Sequence, residues 1–178
     1  MNVKILNPFL EAASDVLQAE VGISTLRGAL SLQKSSLTTD RVTVLISIIG
    51  QVQGVVLYGM SQDTSLKIVS RILGQDFTEF DNLAQSGIGE LGNVISGKAT
   101  VNLFNAGYKA TISPPTLVIG ESAQISTLDF SRVVVPFDSE LGRVTVHLAV
   151  REVKEESQIN IGALVASAKI SPDPQADR

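Results

Sequence analysis

The chain of 178 residues contains no cysteine. This excludes both a disulfide framework and any thiolate metal site. Its single histidine, His147, is the only residue through which a Ser-His-Asp arrangement could run, and no other sequence cue accompanies it. On an alternating strand such a residue is expected at the surface or at an interface. Basic clusters are also missing. The 14 Lys and Arg are scattered among 18 Asp and Glu, giving a formal charge of −4 and a pI near 5.0. A nucleic-acid binder needs a basic face to displace counterions, so that class is excluded. The most apolar stretch, residues 42–59, is broken by Ser47, Gly50, Gln51 and Gln53 and is too short to span a bilayer. The opening Met1-Asn2-Val3-Lys4 lacks the apolar segment of a signal peptide. The expectation is a cytoplasmic protein with no membrane partner.

Apolar material, by contrast, is ample. Hydrophobic residues make up 44% and the mean hydropathy is +0.25. A chain of this length buries roughly 70% of its unfolded surface, and one domain is expected. Asn7-Pro8 suits a helix start. Phe9, Ala12, Ala13, Val16 and Leu17 then recur at helical spacing until Gly22. Strand-like segments follow at 25–32, 42–49 and 54–59, the last two placed as hairpin partners around Gly50-Gln51. Ser61 caps a short helix with Leu66, Val69, Ile72 and Leu73 on its apolar face, closed by Gly74. Thr78 and Asp81 have capping-box spacing at the start of a second helix, which runs to about Asn105 and stops at Gly107. Phe77 and Phe80 are expected to pack at its entrance. Further strands are expected at 116–119, 123–128, 132–137 and 143–150. Asp138 and Glu140 flank a solvated turn. This order fits helices packed on a largely antiparallel sheet, an α+β layout. From residue 151 the composition changes. Residues 1–150 are read as the domain and 151–178 as a C-terminal tail with room for one short docked helix.

The second helix carries the most informative text, Ser-Gly-Ile-Gly-Glu-Leu-Gly-Asn-Val-Ile-Ser-Gly-Lys from Ser86. Ala84, Ile88, Leu91, Ile95 and Ala99 form one apolar stripe. Ser86, Glu90, Asn93, Gly97 and Thr100 take the opposite side at spacings of three and four. Gly87, Gly89, Gly92 and Gly97 are poor helix formers, each costing about 1 kcal/mol relative to Ala. Gly89, Ser96 and Gly97 surround Asn93 with small side chains, leaving Glu90 as its one large neighbour. A second surface could therefore approach the backbone there. The ordinary alternative is that the glycines permit tight packing within the fold.

Ser86-x-x-x-Glu90-x-x-Asn93, followed by Ile112-Ser113-Pro114-Pro115, resembles the signature of the CheC/CheX/FliY phosphatases. The segments Asn7-Pro8-Phe9-Leu10-Glu11-Ala12-Ala13 and Ile88-Gly89-Glu90-Leu91 resemble the CheX branch most closely. The resemblance covers roughly residues 1–150 and leaves open whether Pro114 or Pro115 is the family proline. It implies a CheC-like fold and hydrolysis of the phosphoaspartate of a CheY-type response regulator. Asn93 would orient the attacking water and Glu90 would pair with the regulator's active-site lysine. Ser86, Gly89, Ser96 and Gly97 would contact that partner. It implies no cofactor in this chain, with magnesium in the partner's site, and it implies a homodimer. The strand at 143–150, poor in charge, is the expected sheet edge for that dimer. In the first helix, Asn7-x-x-x-Glu11-x-x-Ser14 repeats the spacing with Ser in place of Asn, as a degenerate second site or by chance. Two other functions fit less text. One is a non-catalytic regulator-binding or flagellar-switch-like scaffold of the same fold. The other is a small-ligand domain with an enclosed pocket.

Overall fold

The computed structural model describes residues 2–34, 37–120, 124–125 and 131–153. Its elements in chain order begin with α1 (Val3–Val16), a π-helical turn (Leu17–Val21), β1 (Leu26–Arg27), β2 (Ser31–Gln33), β3 (Leu37–Thr38), β4 (Val42–Gly50) and β5 (Val52–Met60). They continue with α2 (Gln62–Leu73), α3 (Asn82–Asn105), β6 (Ala110–Ile112), β7 (Thr116–Ile119), β8 (Gln124–Ile125), β9 (Arg132–Ser139) and β10 (Gly142–Glu152). The main sheet has the order β1-β9-β10-β5-β4-β6, with β2 also on β9 and β7 also on β4, and every pairing is antiparallel. β3 and β8 form a separate pair. The α+β expectation holds. The tail beyond residue 153 and most of the strand expected at 123–128 lie outside the described residues.

One face of the sheet and three helices enclose the core. Val42, Val44, Ile46 and Ile48 of β4 point into it, with Val56, Tyr58 and Met60 of β5 and Val144, Val146, Leu148 and Val150 of β10. The period of two along each strand is the reason for this segregation. Ile5, Phe9, Ala12, Ala13 and Val16 of α1 and Ala84, Ile88, Leu91, Ile95 and Ala99 of α3 cover these residues. Phe77 and Phe80 pack at the margin of this core.

Several expectations need correction. α1 begins at Val3, capped by the Asn2 side chain, which accepts from the Lys4 amide at 3.0 Å; Pro8 therefore lies inside the helix. α3 begins at Asn82, because the Asp81 carboxylate accepts from the Ala84 amide at 2.8 Å and is itself the cap. In α2 the buried face is Thr64, Ser65, Ile68 and Val69, whereas Leu73, at the helix end, is exposed. The segment 25–32 forms two short strands rather than one.

The larger correction concerns β10. It pairs with β5 on one side and β9 on the other, so it is a central strand and offers no edge to a second copy. Its lack of internal charge reflects burial on both faces. His147 is correspondingly only 5% exposed, set in register between Leu57 and Val134 on the face away from the helices. Its Nδ1 meets no hydrogen-bond partner among the described residues. Burial, and secondarily the charge of Arg132, pushes its pKa down to about 4, so the ring stays neutral.

Candidate functional site

α3 has 24 residues and is about 36 Å long at 1.5 Å per residue. Its inner face rests on the sheet through Gly92, where an added Cβ would lie 2.7 Å from Val44 Cγ1. Gly87 does the same for α2: a Cβ there would lie 2.7 Å from Val69 Cγ2. These two glycines serve close packing within the fold. Gly97 differs, since a Cβ there would meet nothing within 4 Å. Gly89 is intermediate: it is buried, and its added Cβ would come no closer than 3.9 Å to Pro115 Cγ.

On the outer face Glu90 is exposed and Asn93 half-buried. Asn93 Nδ2 donates to Glu90 Oε2 at 3.4 Å, a long and weak bond. It turns the amide nitrogen toward the carboxylate, and among the described residues Oδ1 has no hydrogen-bond donor. The second hydrogen of Nδ2 remains available. Ser86 is exposed one turn before Glu90. The structure thus brings Ser86, Glu90, Asn93 and Gly97 onto one accessible ridge.

Ser96 does not belong there. It is fully buried, and its hydroxyl shares a 2.9 Å hydrogen bond with the Tyr58 hydroxyl beneath the helix. Burial raises the Tyr58 pKa well above that of a free phenol, against a smaller opposing effect from Ser96, so this pair is neutral scaffolding. A partner cannot touch Ser96 without unpacking α3.

Beside Glu90 runs an open groove of about 470 Å³ lined by Asn82, Gln85, Ser86, Gly89, Glu90, Pro115 and Leu117. Pro115, not Pro114, lines this groove, beside Gly89 and Glu90. Sequence spacing missed Leu117, since only the pairing of β7 with β4 brings that strand alongside α3; Gln85, next to Ser86 on α3 itself, was within reach of the spacing and was overlooked. The α1 triplet is not a copy of this arrangement. Asn7 and Glu11 are exposed, but the Ser14 hydroxyl is engaged with Thr25 Oγ1 at 3.3 Å. Among the described residues, no group of three or more His, Asp or Glu side chains could hold a metal ion. No described helix is long and apolar enough to cross a membrane.

Comparison with known proteins gives this geometry a context. Residues 42–138 match the family described as "Chemotaxis phosphatase CheX". The chain is 31% identical over 128 residues to the CheY-P phosphatase CheX of Thermotoga maritima, covering 71% of this chain and 83% of that one. A CheC-like superfamily protein from Shewanella sp. PV-4 superposes with a TM-score of 0.78 at 27% identity, over 85% of this chain and 99% of that one. The CheX of a CheX–CheY–BeF3–Mg complex from Borrelia burgdorferi does so with a TM-score of 0.72 at 27% identity, over 85% and 100% of the two chains.

Proposed function

Since this chain belongs to the CheX family of chemotaxis phosphatases, we propose that it hydrolyses the phosphoaspartate of a CheY-type response regulator through Asn93 and Glu90. The observation that carries this reading is the adjacent carboxamide and carboxylate on the outer ridge of α3, with Oδ1 of Asn93 unengaged and the Gly97 position open beside it. The partner follows from the relative that acts on CheY-P and from the CheX–CheY complex.

An acyl phosphate already carries a good leaving group, so placing water in line supplies much of the acceleration. Asn93 Oδ1 accepts a hydrogen bond from that water, while the spare Nδ2 hydrogen donates to a phosphoryl oxygen. The water oxygen bonds to phosphorus as the bond to the aspartyl oxygen breaks. The aspartate leaves as carboxylate, and the protons of the water depart with inorganic phosphate. An amide is no general base at neutral pH, and this balance requires none. Glu90 pairs with the regulator's active-site lysine and fixes the register of docking. The regulator's own acidic pocket would hold magnesium, which would supply charge neutralisation at the phosphoryl group. Ser86 and Gly97 form the near contact surface; Ser96 is removed from that set by burial, and Gly89, also buried, only floors the groove beside Pro115. The homodimer remains part of the proposal, but not through β10; light scattering at micromolar concentration checks it, and a monodisperse monomer refutes it.

The decisive experiment follows the decay of a phosphorylated CheY-type protein with wild type and with Asn93→Ala. The proposal expects loss of turnover with retained binding. A scaffold would instead leave decay at its spontaneous rate with either protein.

A further inference from the structure

The outer ridge of α3 extends well beyond the catalytic pair. At 100° per residue, Leu83, Ser86, Glu90, Asn93, Gly97, Val101 and Phe104 fall within about 80° of one another around the helix axis. Three of these seven are large apolar side chains left in solvent: Leu83 is 51% exposed, Val101 55% and Phe104 64%. Glu90 is the one charged residue on the ridge. The outer faces of the other helices are different, with exposed Lys4, Glu11 and Asp15 on α1 and Asp63, Lys67 and Arg71 on α2. Charge depletion with an aromatic residue in reserve is the composition of an interface rather than of ordinary surface.

Size points the same way. Asn93 lies about 15 Å from Leu83 and about 16 Å from Phe104 along the axis. A standard interface covers about 800 Å² per partner, a patch about 32 Å across. A partner seated on Asn93 therefore reaches both ends of the ridge. Apolar anchors at helical spacings are also how a helix face is gripped by a groove.

We propose that Val101 and Phe104, continuous with Glu90 and Asn93 on one helix face, are apolar anchors that dock the phosphorylated response regulator. The inference rests on the phosphatase reading above and assigns affinity to a part of α3 remote from the chemistry. Val101 and Phe104 touch no reacting atom; they hold the regulator while Asn93 acts.

The test measures kcat and KM for phosphorylated CheY-type regulator with wild type, Asn93→Ala, Val101→Ser/Phe104→Ser and Phe104→Leu. The double variant should raise KM about tenfold, as expected for an aromatic anchor. Its kcat and thermal midpoint should match wild type, and Phe104→Leu should recover most of the affinity. Unchanged KM in the double variant, with Asn93→Ala inactive, overturns the anchors and leaves the phosphatase reading standing. Decay that wild type fails to accelerate overturns the phosphatase reading itself. A change in light-scattering mass in the double variant, with KM unchanged, assigns the patch to a second copy and also overturns the proposal.

Discussion

The outer and inner sides of α3 are written in the same small alphabet yet obey different rules. On the inner side, Gly92 admits the side chains of Val44 and Tyr58, and Ser96 holds the buried Tyr58 hydroxyl. On the outer side, Gly97 meets nothing and Asn93 keeps an acceptor free. A small residue thus means close packing on one face and open access on the other. Changes inside should act on stability, and changes outside on the reaction.

The sharpest break would come from Asn93. We expect Asn93→Ala to lower kcat by on the order of 100-fold or more, comparable to the loss of one positioned hydrogen-bonding group elsewhere. Its urea midpoint should be unchanged, because the side chain makes one weak surface bond. A lowered midpoint would mean that the two sides are not separable.

The interior has its own signature in pH. His147 is neutral in the fold with a pKa near 4, against 6.5 when unfolded. Between these values the unfolded chain binds more protons, so stability is full above pH 6.5 and is lost as the pH falls toward 4. Acidification from pH 7 to 4.5 should cost about 2–3 kcal/mol from this residue. His147→Leu should flatten that part of the urea stability profile; an unaltered slope would refute the assignment.

Gly92→Ala comes next. Its methyl would lie 2.7 Å from Val44 Cγ1, so denaturant unfolding should show a loss of about 1–3 kcal/mol, as overpacking does. Smallest of all is Gly97→Ala, which should gain up to about 1 kcal/mol of stability from helix propensity alone. Its added methyl stands beside Asn93, so KM should rise while the thermal midpoint improves. Equal stability losses at Gly92 and Gly97 would erase the distinction between the faces.

How much of this was legible in the sequence depends on the distance over which each decision is made. The stripe Ala84, Ile88, Leu91, Ile95 and Ala99 is buried as its spacing indicates, because periodicity is local. Ser96 was placed on the wrong side for a geometric reason. From Asn93, a step of three residues forward turns about 60° one way around the helix, and a step of four turns about 40° the other. Ser96 and Gly89 fall on the flank that meets the sheet, Gly97 and Glu90 on the flank that meets solvent. Spacings of three and four look equivalent until a neighbouring layer breaks the tie. The same holds for β10, whose alternation was readable while its central position was not. Its second neighbour is decided by a partner 88 residues away in sequence (146 − 58), as in the pairing of Val146 with Tyr58. Val101 and Phe104 share the helical phase of Glu90 and Asn93, opposite the apolar stripe, so their exposure was legible in the spacing alone.

The contact at Gly92 has one more consequence. With Val44 and Tyr58 pressed against its bare backbone, α3 has little freedom to roll about its own axis. Side chains on a helix reach roughly 5–6 Å from that axis, so a roll of about 20° would swing the Asn93 tip by about 2 Å. Misplacement of about 1 Å can cost on the order of 100-fold in rate. A hydrogen atom hidden beneath the rod thereby sets the aim of the group on top of it, like the seat of a bearing.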